Sequence, residues 1–166
     1  AGRMRLSELD KWDNKIRFEM LNTDTTIHFL RPPIGDWFAF YAPSIIDEFL
    51  ILSVAAAYAK GESKFCGVSE LKVKESDRLE AIIKMLTASG VKCGTKDDDL
   101  IIYGNGEVPG GSDIKSNYDH RVAMSALILG LDSKSQIRID DVSPIATSFP
   151  NFMEIYHRIG GNFHSG

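Results

Sequence analysis

The sequence predicts an α/β fold built on a duplicated unit, and three observations carry that expectation. Segments with helical start and stop signals alternate with short runs of β-type residues. The order helix, strand, helix, strand occurs twice along the chain. The two copies are also offset by a nearly constant distance. Asp47 and Asp119, each opening a helix, stand 72 residues apart. Val68 and Val142, which follow the intervening strands, are separated by 74, and Gly90 and Gly160, which close the second helices, by 70. An internal duplication with small insertions leaves this kind of spacing.

In chain order, the first helix is expected from Asp47 to Lys60, opened by an aspartate and closed by Gly61. The second runs from Asp77 to Ser89 and stops at Gly90. Its start, Asp77-Arg78-Leu79-Glu80, fits a capping box, with the acid at the N-cap and a glutamate three residues on. The third spans Asp119 to Leu131 and carries Val122, Met124, Ala126, Leu127 and Leu129 on an apolar face. The fourth is expected to start near Ser148, with Pro150 accommodated in its first turn, and to end before Gly160-Gly161. The clearest strands are Ser63 to Cys66, Val91 to Thr95, Leu100 to Tyr103 and Gln136 to Ile139. Lys15 to Phe18 and Thr26 to Phe29 are weaker strand candidates, Arg31-Pro32-Pro33 reads as a break, and Gly104 to Ser112 as a glycine-rich loop.

Composition narrows the functional classes. The 166 residues are 43% hydrophobic and 25% charged, the balance of a globular domain with its own core. A formal net charge of −4 argues against a nucleic-acid surface, since phosphate backbones need a basic excess. The longest apolar stretch, Phe49 to Tyr58, contains a serine and falls well short of the roughly 20 residues that cross a bilayer. No basic and apolar leader opens the chain, so no membrane or secretory role is expected. Cys66 and Cys93 are expected as reduced thiols of a cytoplasmic protein, and His28, His120, His157 and His164 are too scattered for a metal site.

Three segments are candidates for chemistry. Glu70-Leu71-Lys72-Val73-Lys74-Glu75-Ser76-Asp77-Arg78-Leu79 packs cations beside acids directly before a helix, whose first turn favours anions. Arg78 runs against that field, so something negative is expected beside it. Asp119-His120-Arg121 repeats the pattern: a capping aspartate with a cation in the first turn. Pro43-Ser44-Ile45-Ile46-Asp47-Glu48 places Asp47 at a third helix start, either as an N-cap or as a carboxylate able to accept a hydroxyl proton. Taken singly, each segment reads as ordinary surface capping. Two arginines at related places in two repeats are a different matter, because guanidinium groups bind phosphate and carboxylate through paired hydrogen bonds.

Lys74-Glu75-Ser76-Asp77-Arg78-Leu79 resembles the KESDR motif of 5-enolpyruvylshikimate-3-phosphate (EPSP) synthases. Ile46-Asp47-Glu48 at the head of an alanine-rich helix, Asp119-His120-Arg121-Val122-Ala123-Met124 and Thr147-Ser148-Phe149-Pro150 resemble three further motifs of that family, in its order. The likeness covers roughly residues 43 to 163.

The resemblance implies repeated βαβαββ units of an inside-out α/β fold, here about two of the three units of a C-terminal domain, approximately 41–112 and 113–166. It implies transfer of the enolpyruvyl group of phosphoenolpyruvate to the 5-hydroxyl of shikimate 3-phosphate, with no cofactor or metal, in chorismate biosynthesis. By position, Asp47 resembles the acid–base aspartate near the hydroxyl, and Glu75 the acid that protonates and then deprotonates the methylene carbon. Lys74 resembles a substrate-binding lysine, Arg78 and Arg121 the arginines that clamp phosphoenolpyruvate, and His120 a residue near the phosphate. Asp77 and Asp119 are read as caps and arginine orienters.

Thr147 stands where many members have lysine, and Glu70 where some have asparagine; both are as in the bacterial class II subgroup. A related possibility is UDP-N-acetylglucosamine enolpyruvyl transferase, which shares fold and phosphoenolpyruvate chemistry but matches these motifs less well. A third reading is a folded fragment without catalysis of its own. A chain beginning Ala-Gly-Arg-Met and lacking the N-terminal domain that completes the site is expected to be inactive alone.

Overall fold

A computed structural model describes residues 46–163 together with the backbone of three strands, β1 (Lys15–Glu19), β2 (Thr26–Leu30) and β3 (Ala39–Tyr41). The break expected at Arg31-Pro32-Pro33, the residues Pro43 to Ile45, and His164 lie outside the described residues, as does the side chain of Glu70.

Helix α1 (Phe49–Tyr58, FLILSVAAAY) carries no charge, and a helix apolar on nearly all sides has to be enclosed. Phe49, Leu50, Val54, Ala56 and Ala57 are buried, and the Ser53 hydroxyl donates to the Leu50 carbonyl at 2.6 Å. That bond spares α1 an unsatisfied buried polar group. On one side α1 packs against a four-stranded sheet ordered β3–β4–β6–β5, where β4 is Lys60–Cys66, β5 is Lys92–Lys96 and β6 is Asp99–Asn105. The β4, β5 and β6 pairings are antiparallel, while β3 lies parallel to β4. Gly104 of β6 passes so close to the carbonyls at the end of α1, those of Ala56 and the cap residue Ala59, that a Cβ there would collide with backbone.

Helices α2 (Arg78–Ala88) and α3 (His120–Gly130) complete the core. Leu79, Ile82, Met85 and Leu86 recur at helical spacing on α2 and are all buried. The helix ends as its sequence signals: Gly90 takes a φ of 84°, its N–H reaches the Thr87 carbonyl at 3.0 Å, and the Val91 N–H reaches that of Leu86 at 2.9 Å. On α3, Val122, Ala126 and Leu129 face the same core. The opposite side of α3, with Ala123 and Leu127, closes a second cluster with Ile145, Phe152 and Tyr156. Tyr58 Oη bonds the Leu129 carbonyl at 2.6 Å and ties the far ends of α1 and α3 together. With those ends fixed, the helix starts meet at the other end.

Several expectations are corrected. Lys60 begins β4 and does not end α1, which stops at Tyr58. The segment 104–112 is only partly loop, since Gly104 and Asn105 belong to β6 and Gly110 bridges Ser135. The fourth helix is two pieces, α4 (Ile145–Ser148) and α5 (Phe152–Arg158), with Pro150 between them. The residue before a proline is pushed out of helical geometry, and Phe149 sits at φ −142°, ψ 77°. Neither the 3₁₀ helix Val68–Val73 nor strand β7 (Asp113–Ile114), which pairs in parallel with β8 (Arg138–Ile139), has a sequence signal strong enough to be read in advance. Both cysteines are free thiols, partly buried, and burial pushes each above its ordinary pKa.

Candidate active site

Three helix starts converge. A single 3₁₀ turn, Ile46–Glu48, leads into α1; Asp77 caps α2 and Asp119 caps α3. Each start presents unpaired N–H groups and partial positive charge. The Asp77 carboxylate accepts the Glu80 N–H at 2.9 Å, while the Glu80 side chain turns to Lys84 Nζ at 2.7 Å. The capping box is therefore formed from one side.

Arg78, the first residue of α2, lies at the convergence with its side chain 1% exposed. Nε donates to Asp119 Oδ2 at 2.9 Å, and Nη1 donates to Asp47 Oδ1 at 3.0 Å. Nη2 lies 2.6 Å from Glu75 Oε2, an ion pair in which the oxygen sits off the N–H directions, so this buried nitrogen has charge contact but no hydrogen-bond acceptor. The negative partner expected beside Arg78 is thus supplied by the protein itself, three times over.

Asp119 is buried completely. Its Oδ2 also accepts the Ser76 hydroxyl at 2.9 Å, and its Oδ1 accepts the Arg121 N–H at 2.9 Å, so it caps α3 and orients Arg78 at once. Burial alone would raise its pKa; the hydrogen bonds from Arg78 and Ser76, the Arg78 charge and the Arg121 N–H together hold it below the ordinary carboxylate value. Arg78 is the mirror case. Burial opposes its charge, and Asp119 first, then Glu75 and Asp47, more than restore it. The chain reaches Asp119 through Asn117 and Tyr118, with φ of 52° and 58°. Residues with a Cβ adopt this left-handed conformation at a cost of about 1 kcal/mol or more each.

Asp47 is not the cap of α1. Glu48 holds the N-cap position and makes no side-chain capping bond, which leaves the Asp47 carboxylate, about half exposed, for cations. It meets Arg78 Nη1 at 3.0 Å, Lys74 Nζ at 3.3 Å and Arg121 Nη2 at 4.0 Å. Burial pushes its pKa up, but the Lys74 hydrogen bond and the charges of Lys74, Arg121 and Arg78 outweigh that and hold the carboxyl ionised below its ordinary value. Arg121 is anchored by donating Nη1 to the Asp47 carbonyl at 2.8 Å and to Glu48 Oε1 at 3.3 Å.

The structure therefore brings together Asp47, Lys74, Glu75, Arg78 and Arg121, drawn from three separate stretches of sequence. His120 shares the first turn of α3 and is partly exposed, and it makes no hydrogen bond or ion pair among the described residues. Thr147 is exposed on α4, its hydroxyl bonded locally to the Pro144 carbonyl at 2.7 Å. Two participants have no sequence-derived role: Ser76, which shares Asp119 with Arg78, and Glu48, which holds Arg121. Both sit inside quoted motifs, and position in a motif was the only available signal. No group of side chains suited to a metal occurs among the described residues. Chemically, the arrangement offers three cations and an ionised carboxylate at a helix-start junction, a setting for an anionic substrate and proton transfer.

Fold and site together define an α/β domain with a cluster of paired charges at converging helix starts. A sequence model of EPSP synthase (3-phosphoshikimate 1-carboxyvinyltransferase) matches residues 14–156, and the chain belongs to that family. The 3-phosphoshikimate 1-carboxyvinyltransferases of Bradyrhizobium sp. (strain BTAi1) and Rhodopseudomonas palustris (strain BisA53) are 53% and 52% identical to it over 122 residues, 74% of this chain. The chain spans about a quarter of the length of these relatives, 27% in each case. Among solved structures, EPSP synthase from Acinetobacter baumannii superposes with a TM-score of 0.68 at 39% identity, covering 73% of this chain and 28% of that one. The enolpyruvyl transferase NikO from Streptomyces tendae, at 21% identity and a TM-score of 0.61, covers 93% of this chain and 35% of its own, and shares the fold.

Proposed function

We infer that the chain is the C-terminal portion of a 3-phosphoshikimate 1-carboxyvinyltransferase, which joins phosphoenolpyruvate to the 5-hydroxyl of shikimate 3-phosphate and releases phosphate in the cytoplasm. The observation that carries this reading is the meeting of Lys74, Arg78 and Arg121 around Asp47, at motif positions of the family to which the chain belongs.

Addition of a hydroxyl to the enol phosphate double bond needs a base at oxygen and an acid at carbon; elimination of phosphate then reverses the roles and leaves the enol ether. Asp47, held ionised by its cations, is in the state a proton acceptor requires. Glu75, exposed at the rim, is the acid for the methylene carbon. Lys74, Arg78 and Arg121 neutralise the phosphate and carboxylate of phosphoenolpyruvate, with His120 beside the phosphate. An N-terminal domain supplies most shikimate-phosphate contacts, which makes this chain inactive by itself. Residues 41–112 and 113–166 are read as two repeats of the domain, and Thr147, where many members carry lysine, supports the class II reading.

The test is phosphate release from phosphoenolpyruvate and shikimate 3-phosphate, by the chain alone and with its complementary N-terminal piece. Activity only with the complement, lost in Asp47→Asn and in Glu75→Gln, is the expected result. Complemented activity unaffected by either substitution would refute the assigned roles.

A further inference from the structure

Among the described residues, three cations, Lys74, Arg78 and Arg121, face four carboxylates, Asp47, Glu48, Glu75 and Asp119, so these charges already neutralise one another. An incoming anion cannot simply add to it; some carboxylate has to yield its cation. The three carboxylates on Arg78 differ in how firmly they are held.

Asp119 is fully buried and bound by Ser76 and the Arg121 N–H as well as Arg78. Asp47 is engaged by Lys74 and Arg121 besides Arg78. Glu75 is 57% exposed, and Arg78 Nη2 is its one ion-pair or hydrogen-bond partner among the described residues. That contact is off-axis and leaves Nη2 buried with no hydrogen-bond acceptor, an unfilled demand at the point where Glu75 stands. An anion approaching along the N–H directions would gain the directed bonds that Glu75 does not make.

We propose that Glu75 is an internal competitor for the anion that Arg78 serves: its carboxylate occupies the Nη2 face of the guanidinium, and a phosphate- or carboxylate-bearing ligand binds by exchanging with it. The exchange also moves Glu75 off Arg78 as the ligand arrives, which frees it to take up the proton that it gives to the methylene carbon. The inference rests on the reading above that Arg78 takes an anion.

The experiment is calorimetric titration of the chain, complemented by its N-terminal piece, with inorganic phosphate and with phosphoenolpyruvate, on wild type, Glu75→Gln and Glu75→Asp, each first checked for folding by thermal unfolding. Glu75→Gln removes the charge. Glu75→Asp keeps the charge but shortens the side chain by a methylene, so it cannot reach Nη2 as glutamate does. Exchange predicts tighter binding in both variants, by about fivefold, the factor an exposed ion pair is worth. Tightening in Glu75→Gln alone would reduce the effect to general repulsion and overturn the proposal. Measurable phosphate binding that neither variant changes would overturn it too, while leaving the anion site intact. No binding by any of the three chains would remove the anion reading of Arg78 together with the competitor.

Discussion

Helices α2 and α3 begin with the same residue type in the same place, yet their starts are built differently. Asp77 is exposed, and its carboxylate makes one capping bond, to the Glu80 N–H. Asp119 is buried, and the same two oxygens cap α3, accept Ser76 and hold Arg78 across 41 residues of sequence. The first is a local device that stabilises one helix. The second fastens two helices and a charged loop together, and the side chain of its partner Arg78 is 1% exposed. Burial is what separates them: a charge taken out of water must be met by an opposite charge and by hydrogen bonds, and the cost of breaking such a set is far larger than that of losing a cap.

The comparison can be broken most sharply at Asp119. Asp119→Asn keeps the shape but removes the charge opposite a buried guanidinium. Chemical denaturation should show a loss of about 3 kcal/mol, the low end for a broken buried pair, because Asp47 and Glu75 still face Arg78. A loss below about 1 kcal/mol would mean that Arg78 is satisfied without Asp119.

Acid should act on the same bond more gradually. Because the folded-state pKa of Asp119 lies below its unfolded value, its contribution is fully present above the ordinary carboxylate pKa of about 4 and is lost as pH falls through the folded value. Asp47 and Asp140 are shifted in the same direction and contribute to the same acid limb. Denaturation midpoints measured from pH 6 to pH 2 should therefore fall for wild type and fall less steeply for Asp119→Asn. Parallel curves would contradict the assignment. The smallest effect is expected at Asp77→Ala, about 1 kcal/mol, the ordinary value of an exposed cap.

How much of this was legible in the sequence follows from the same distinction. The start of α2 was readable because Asp77 and Glu80 are three residues apart, and its end because Gly90 supplies the left-handed turn. The start of α3 was readable for a similar reason. What could not be read was that Asp119 belongs to Arg78, since nothing local links them; only the packing of α1, α2 and α3 on a shared core brings the three starts together. Family motifs identified most of the cluster but left Ser76 and Glu48 without roles and left Asp47 undecided between cap and free carboxylate. Geometry decides that case, because Glu48 takes the N-cap position. The split between α4 and α5 was missed because Pro150 is tolerated in a first helical turn, and only the conformation of Phe149 shows that it stands between two helices.

The central claim is that the cluster has a fixed inner end, Arg78 on Asp119, and an adjustable rim. The most direct test is exchange of arginine Nε protons by nitrogen-edited NMR at neutral pH, with and without phosphoenolpyruvate. Arg138, 82% exposed, serves as the reference for fast exchange. The Arg78 Nε–H should exchange far more slowly than that of Arg138, both free and with phosphoenolpyruvate bound, because Asp119 holds it throughout. An Arg78 Nε–H that exchanges as fast as that of Arg138, in either state, would contradict the account.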